Sequence, residues 1–271
     1  MSKKVVLAFS GGLDTSYCAK YLSETLGYEV HAVTINTGGF DKDDEVLLKE
    51  KAEKLGVTSY RFIDASEKYY NDCVKYLIFG NVLKNNTYPL SVSAERTIQA
   101  QTIAETALEI GADAIAHGST GAGNDQVRFD LIFNVMCPKI EIITLIRDLS
   151  LSREDEIQFL KDHNNEMDFD KAKYSINKGL WGTSVGGKET LTSRYSLPEE
   201  AFPSQVEKTE SSELEIEFKN GELISVNGET FSHPVLAIQK IEELASPYGI
   251  GRDIHVGDTI VGIKGRVGFE A

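Results

Sequence analysis

Residues 5–9 read Val-Val-Leu-Ala-Phe, a short unbroken apolar run rich in β-branched side chains, and Ser10, Gly11 and Gly12 cut it off abruptly. Such a run marks a central strand buried on both faces. From Leu13 onward the apolar residues recur three to four apart, at Tyr17, Tyr21 and Leu22, which is the period of a helix. The stretch 4–26 therefore predicts a buried strand that feeds through a glycine turn directly into an amphipathic helix. That geometry builds an anion site. Two glycines let the backbone fold closely around a ligand, and the free N–H groups and positive end of the helix point at it. Ser10, Thr15 and Ser16 add hydroxyl donors. The plainer reading is a strand-to-helix turn with Asp14 or Thr15 as its N-cap. Hydroxyls on both sides of the glycines, with a strand immediately upstream, favour phosphate binding.

The same alternation continues. A second strand is predicted over 29–35, a charged helix over 41–55, a third strand over 57–63 and a third helix over 67–79. Short polar connections between them predict a parallel sheet covered by helices on both faces. Ligands in such folds sit at the carboxyl ends of the strands. The segments SGGLDTS and NTGG both fall at such ends, so they are expected to be neighbours in space. A helix over 94–110 and a strand over 112–116 lead into HGSTGAGNDQVRFD, fourteen residues read as a second binding loop because they are glycine-rich and full of short polar side chains. A strand over 141–146 and a helix with a capping-box start at Ser152 and Asp155 close this part.

Beyond Asp168 the texture changes. KYSINKGLWGTSVGGKETL has no clear period, PEEAFPSQVEKTESSE is linker-like, and LEIEFKNGELISVNG predicts a β-hairpin turning at Asn220-Gly221. A helix over 234–244 and a glycine-punctuated tail follow. The division is placed at 1–167 for a nucleotide-binding domain and 168–271 for a substrate domain.

At 271 residues, 41% hydrophobic and 26% charged, the chain can bury a sizeable core. Its net charge of −14 argues against a nucleic-acid or anionic-membrane partner. A phosphate ligand must then be held locally, by oriented amides, a few basic side chains and Mg²⁺. Cys18, Cys73 and Cys137 lack CxxC spacing and the five histidines lack ligand spacing, so no disulfide or protein metal site is expected. Separate thiols, a first strand beginning at residue 4 and the absence of any long apolar stretch together predict a cytoplasmic protein. GTSVGGKE, at 182–189, is a near miss for a nucleotide P-loop, with Glu189 where a hydroxyl is needed, and is rejected. His117 is left open between touching nucleotide and a structural role, and Trp181 is expected in the core of the second domain.

SGGLDTS resembles the pyrophosphate loop of the N-type ATP pyrophosphatases. More narrowly, AFSGGLDTS, TYPLSVSAER, HGSTGAGNDQVRFD and KYSINKGLWGTS resemble, in order and across nearly the whole chain, segments of the argininosuccinate synthase family. The resemblance implies an adenine nucleotide α-hydrolase-like α/β domain followed by an α+β synthetase domain. The activity it implies is ATP-dependent ligation of citrulline to aspartate in arginine biosynthesis, releasing AMP and pyrophosphate through a citrullyl-adenylate, in a homotetramer. By the same match Ala8, Phe9, Ser10, Gly11, Gly12, Leu13, Asp14, Thr15, Ser16, Ile35 and Gly118 contact ATP, and residues 35–38 wall the adenine. Thr120, Asn124 and Asp125 bind aspartate; Tyr88, Ser93, Asn124, Arg128, Ser175 and Ser184 bind citrulline. Asp125 and Arg128 are the implied catalytic residues, and no residue is assigned to a metal.

The sequence departs from the family pattern in three places. Ser91-Val92 replaces a usual Gly-Thr, and Gly257 and Phe269 stand where a glutamate and a tyrosine hold citrulline. Asp258, Glu270 or water is then expected to take over the α-ammonium, the alternative being an N-acylated citrulline as substrate. Third, the chain ends at Ala271, so the synthetase domain is expected to be partial, without the C-terminal part and the helix used in assembly. Rival readings are another pyrophosphatase-loop ligase, a tRNA-thiolating relative, which the unpaired cysteines and acidic charge disfavour, and a nucleotide-sensing module without turnover.

Overall fold

The computed structural model describes residues 2–165, 174–260, 262 and 264–271. The opening apolar run is β1 (Lys4–Ala8), and Val5, Val6 and Leu7 in it have no solvent exposure. It is the middle strand of a five-stranded sheet. With β2 (Glu29–Asn36), β3 (Ser59–Asp64), β4 (Ala114–Ala116) and β5 (Glu141–Ile143), the order is β3-β2-β1-β4-β5 and every pairing is parallel. Alternate side chains of β1 serve opposite faces. Val6 joins a core with Ile98, Ile103 and Phe133, while Val5 and Leu7 join another with Leu13, Leu22 and Leu160. Both faces are thus covered by helices, as the alternation predicted.

Those helices are α1 (Leu13–Lys20), α2 (Lys42–Lys54), α3 (Ser66–Tyr69), α4 (Lys75–Phe79), α5 (Ser91–Glu109), α6 (Asp125–Met136), α7 (Leu145–Asp148) and α8 (Arg153–Asp162). The predicted capping box of α8 is present, with Ser152 Oγ accepting from the Asp155 N–H (3.2 Å). Two elements differ from expectation. Asp125 to Asp130 is not loop but the first turns of α6, whose apolar signal, Phe129 and Phe133 buried one turn apart, follows a glycine-rich run that hides it. The strand predicted over 141–146 stops at Ile143, and Leu145 begins a helix.

The rest of the chain is antiparallel. β6 (Ser175–Gly179), β7 (Gly182–Gly186), β8 (Ile216–Lys219), β9 (Glu222–Val226), β10 (Glu229–Thr230), α9 (Pro234–Ala245), β11 (Arg252–Asp258) and β12 (Lys264–Glu270) form a sheet β11-β12-β7-β6 and a smaller one, β10-β9-β8. Asn220 and Gly221 both have positive φ (54° and 85°), the two-residue hairpin turn that Asn-Gly predicts. GTSVGGKE contributes β7 and a 3₁₀ turn, not a phosphate loop. β12 is an interior strand, hydrogen-bonded to β11 on one side and β7 on the other, and the sheet encloses its own cluster of Val185, Leu197 and Ala201. The boundary placed at 167/168 lies outside the described residues.

The two parts meet at the NTGG segment. The Leu180 N–H donates to Thr37 O (2.8 Å), and Leu180 is buried in the same core as Val6. Trp181, expected in the second core, instead packs against the first and donates from Nε1 to Pro89 O (3.1 Å). A Cβ on Gly39 would lie 2.0 Å from Lys178 O, a backbone atom that cannot swing aside. Gly39→Ala should therefore cost about 1–3 kcal/mol of stability, read as a lower urea midpoint; an unchanged midpoint would contradict this junction.

Candidate functional site

The glycine turn after β1 gathers backbone amides and hydroxyls at the start of α1. Gly11 adopts φ +72°, and a Cβ there would sit 2.3 Å from Leu48 Cδ2. Its carbonyl is held by Lys51 Nζ from α2, a lysine whose pKa burial lowers. Gly12 is the N-cap of α1 and supplies no side-chain cap, so the first amides of the helix face outward for a ligand. The hydroxyls converge on the turn: Ser10 Oγ and Thr15 Oγ1 are 3.2 Å apart, and Ser16 Oγ donates to Gly12 O (2.7 Å). Ala8 and Phe9 lead in from β1, Phe9 N–H donating to Val33 O (2.9 Å) and Leu13 lying in the core. Gly118 closes the other side, since a Cβ on it would be 3.2 Å from Asp14 and Thr15. Ile35 lies in the buried core, and beside Gly38 the expected adenine wall is filled by Leu180.

From Gly118 the loop runs to α6. His117 is buried, its Nδ1 accepting from the Ser119 N–H (3.2 Å) and its Nε2 hydrogen-bonded to Asp130 (2.9 Å), so both ring nitrogens are engaged within the protein. Thr120 is exposed on this loop, and Asn124 Oδ1 accepts from the Ile260 N–H (2.6 Å) of the β11–β12 hairpin. Asp125 then meets two guanidinium groups, Arg96 Nε (3.0 Å) and Arg128 Nη1 (2.8 Å). Arg128 Nη2 also donates to Ser93 Oγ (3.0 Å). Arg96 continues to Glu95 (3.1 Å), Gln99 (2.7 Å) and, across the junction, Asn177 Oδ1 of β6. Burial alone would raise the Asp125 pKa, but the two arginines outweigh it and hold the carboxyl below its ordinary value. Glu95, almost wholly buried, goes the other way: desolvation pushes it up to about 7 despite Arg96 and the hydrogen bond from Thr37 (3.1 Å).

The face of the second sheet that meets this network carries Ser175, Asn177 and Ser184, since Ser175 lies two residues before Asn177 and Ser184 pairs with Asn177 directly. Ser184 also pairs with Phe269, whose ring lies 5.4 Å from that of Tyr88. Tyr88 stacks on His255 (5.2 Å, 26°). Gly257 shares the His255 face, and a Cβ there would be 2.8 Å from His255 Nε2. Asp258 and Glu270 fall on the opposite face, Glu270 accepting from Ser204 Oγ (2.6 Å) and pairing with Arg252. Asp253 shares the His255 side but is exposed, its carboxylate accepting from the Ile254 N–H (2.7 Å). Ser91, in the variant Ser91-Val92 step, is buried.

Residues 4–166 match the profile of the arginosuccinate synthase N-terminal HUP domain, and residues 174–271 match that of the arginosuccinate synthase C-terminal domain. The chain belongs to the argininosuccinate synthase family. An argininosuccinate synthase of Methanocaldococcus jannaschii is 40% identical over 274 residues, covering all of this chain and 68% of that protein. One of Dehalococcoides mccartyi is 40% identical over 276 residues, covering 100% and 67%, and one of Methanococcus maripaludis is 39% identical over 276, covering 100% and 69%. The chain is accordingly an ATP-dependent ligase of the argininosuccinate synthase type. The second match corrects the expectation of a merely partial second domain: both domains of the family are represented in this chain.

Sequence reasoning missed Lys51, Glu95, Arg96 and Asn177. A lysine in an ordinary charged helix gives no signal, and Arg96 stands in TYPLSVSAER, where only the tyrosine and serine were assigned. Replacing Arg96 by Met would leave two carboxylates without their shared cation, which should destabilise the fold by about 3–5 kcal/mol at neutral pH. Glu95 keeps its proton in the folded state up to about pH 7, so the loss should shrink in more acidic buffer. Guanidinium unfolding at both pH values checks this, and an equal loss at each would contradict it.

Proposed function

We propose that this chain joins citrulline to aspartate, with MgATP as the energy-supplying substrate split to AMP and pyrophosphate. The observation that carries the reading is that one loop joins the two groups: Gly118 packs against Asp14 and Thr15 at the uncapped start of α1, and the same loop leads into Asp125, which meets Arg128, itself bonded to Ser93. In this reading the turn receives the phosphates and the Arg128 guanidinium suits a carboxylate. Among the described residues no group of three or more His, Cys, Asp or Glu is placed to hold a metal ion, so Mg²⁺ is assigned to the nucleotide's phosphates and written as part of that substrate.

In this reading the ATP phosphates lie on the amides and hydroxyls of residues 10–16, with Gly118 leaving room for close approach. Arg128 and Ser93 hold the citrulline carboxylate, with Tyr88, Ser175 and Ser184 along the rest of the molecule. The ureido oxygen attacks the α-phosphate, and pyrophosphate leaves against the positive end of α1. Thr120, Asn124 and Asp125 receive aspartate, whose amine then displaces AMP. Held ionised by two arginines, Asp125 suits orienting the incoming ammonium better than accepting its proton. Neither step needs a covalent enzyme intermediate, and catalysis is positioning and charge stabilisation. A division near 167/168, a cytoplasmic setting and a homotetramer accompany the reading on the family resemblance; light scattering tests the last.

AMP and pyrophosphate should form only when citrulline and aspartate are both present. Binding of ATP without any turnover would instead mark a nucleotide-sensing module. Gly11→Ala should weaken ATP binding at least tenfold by calorimetry, because the added methyl meets Leu48 and the left-handed backbone is strained; unchanged affinity would remove the loop from the site.

One observation favours a second reading of the substrate. Asp258 and Glu270 lie off the Tyr88 face, and burial together with Lys84 lowers the His255 pKa, so the imidazole there is neutral. A buried ammonium without a carboxylate is costly, which suits a citrulline acylated on its α-nitrogen. Comparing kcat/KM for citrulline and N-acylated citrulline decides the point, and a clear preference for free citrulline rules the acylated substrate out.

A further inference from the structure

Glu156, on α8, is 2% exposed although it is a carboxylate in a surface helix. Its Oε2 is buried and receives no hydrogen bond from any donor. The group beside it is another carboxylate, that of Asp14, in the first turn of α1 and within the glycine-turn segment assigned above to ATP. The remaining titratable groups about Glu156 are Tyr17 and Cys18 on α1, with Arg153 and Asp155 on α8 itself. Burial raises both Tyr17 and Cys18, so neither supplies a charge, and Arg153 opposes the effect of burial and Asp14 only in part. Two ionised carboxylates cannot share so dry a contact, and one must hold a proton. Glu156 is the more deeply buried of the two, so the proton belongs on it.

We propose that Glu156 is a positioning residue for ATP: as a neutral acid it donates a hydrogen bond to the Asp14 carboxylate and so fixes the first turn of α1 in the conformation that receives the phosphates. The proposal rests on the assignment of ATP to residues 10–16. An ionised Glu156 would repel Asp14 toward the space the phosphates occupy, adding negative charge where pyrophosphate must bind. Burial, followed by Asp14, pushes the Glu156 pKa up to about 8. The folded protein therefore holds this proton well above the ordinary glutamate range. Its stability should fall as pH rises from the unfolded glutamate value toward about 8, and ATP binding should weaken as pH passes that value.

The test is KM for ATP and kcat across pH in the full chain, wild type against E156Q and E156L. Wild type should show KM rising above about pH 8 with little change in kcat. In E156Q, whose amide also donates to Asp14 and does not ionise, that alkaline rise should disappear. E156L, with no donor, should raise KM for ATP about tenfold at every pH, as expected for loss of one charge-assisted hydrogen bond. Infrared spectra of the nucleotide-free protein, wild type minus E156Q, give an independent readout in which the Glu95 contribution cancels: the carbonyl stretch of a protonated carboxyl at neutral pH, lost on alkalisation. A missing band, or an alkaline rise retained in E156Q, overturns the proposal. If the band is present and Gly11→Ala leaves ATP affinity intact, the placement of ATP on the loop falls instead, and the positioning role falls with it.

Discussion

Arg96 stands where α5, α6 and β6 come together, and its guanidinium is divided among Asp125, Glu95, Gln99 and Asn177. Three of those partners belong to the parallel domain and one to the antiparallel sheet, so the same cation that neutralises two carboxylates also sets where the second sheet docks. Around it the packing leaves no slack: a Cβ on Gly179 would overlap Glu95 Oε2 at 1.9 Å. An ion cluster this buried contributes little net stability by itself. Its effect is to fix one arrangement of two domains, because any shift that draws Arg96 away from its carboxylates leaves a buried cation without a counter-charge. Arg128 depends on that arrangement, since the carboxylate that orients it, Asp125, is held on its other oxygen by Arg96.

The nucleotide side follows from a different constraint. A central strand whose Val5, Val6 and Leu7 have no exposure ends in a turn that must reverse into α1 while leaving amides free, and Gly11 permits this by a left-handed backbone with no side chain facing Leu48. Lys51 then holds the carbonyl that such a turn directs inward. In a chain of net charge −14 a polyphosphate has to be met by groups like these, short in range and fixed in direction, because the overall field repels it.

Much of this was legible in the residues. The parallel sheet, its helices on both faces, the Asn-Gly hairpin and the glycine turn all have local signatures, and Ser93, Asp125 and Arg128 do come together. What escaped was non-local. α6 begins inside a run whose glycines and short polar residues look like loop, and its apolar spacing becomes visible only after Phe129. Trp181 carries no mark of which core it serves; the junction at Thr37 and Pro89 decides that. Lys51 and Arg96 are ordinary charges until α2 and α5 place them.

The central claim is that this chain activates citrulline on ATP before aspartate takes part. Positional isotope exchange in ATP labelled at the αβ-bridging oxygen measures that step by itself. The wild-type chain should scramble the label when citrulline and Mg²⁺ are present and aspartate is withheld, and should not do so without citrulline. No scrambling under those conditions, or scrambling that requires aspartate, would contradict the account.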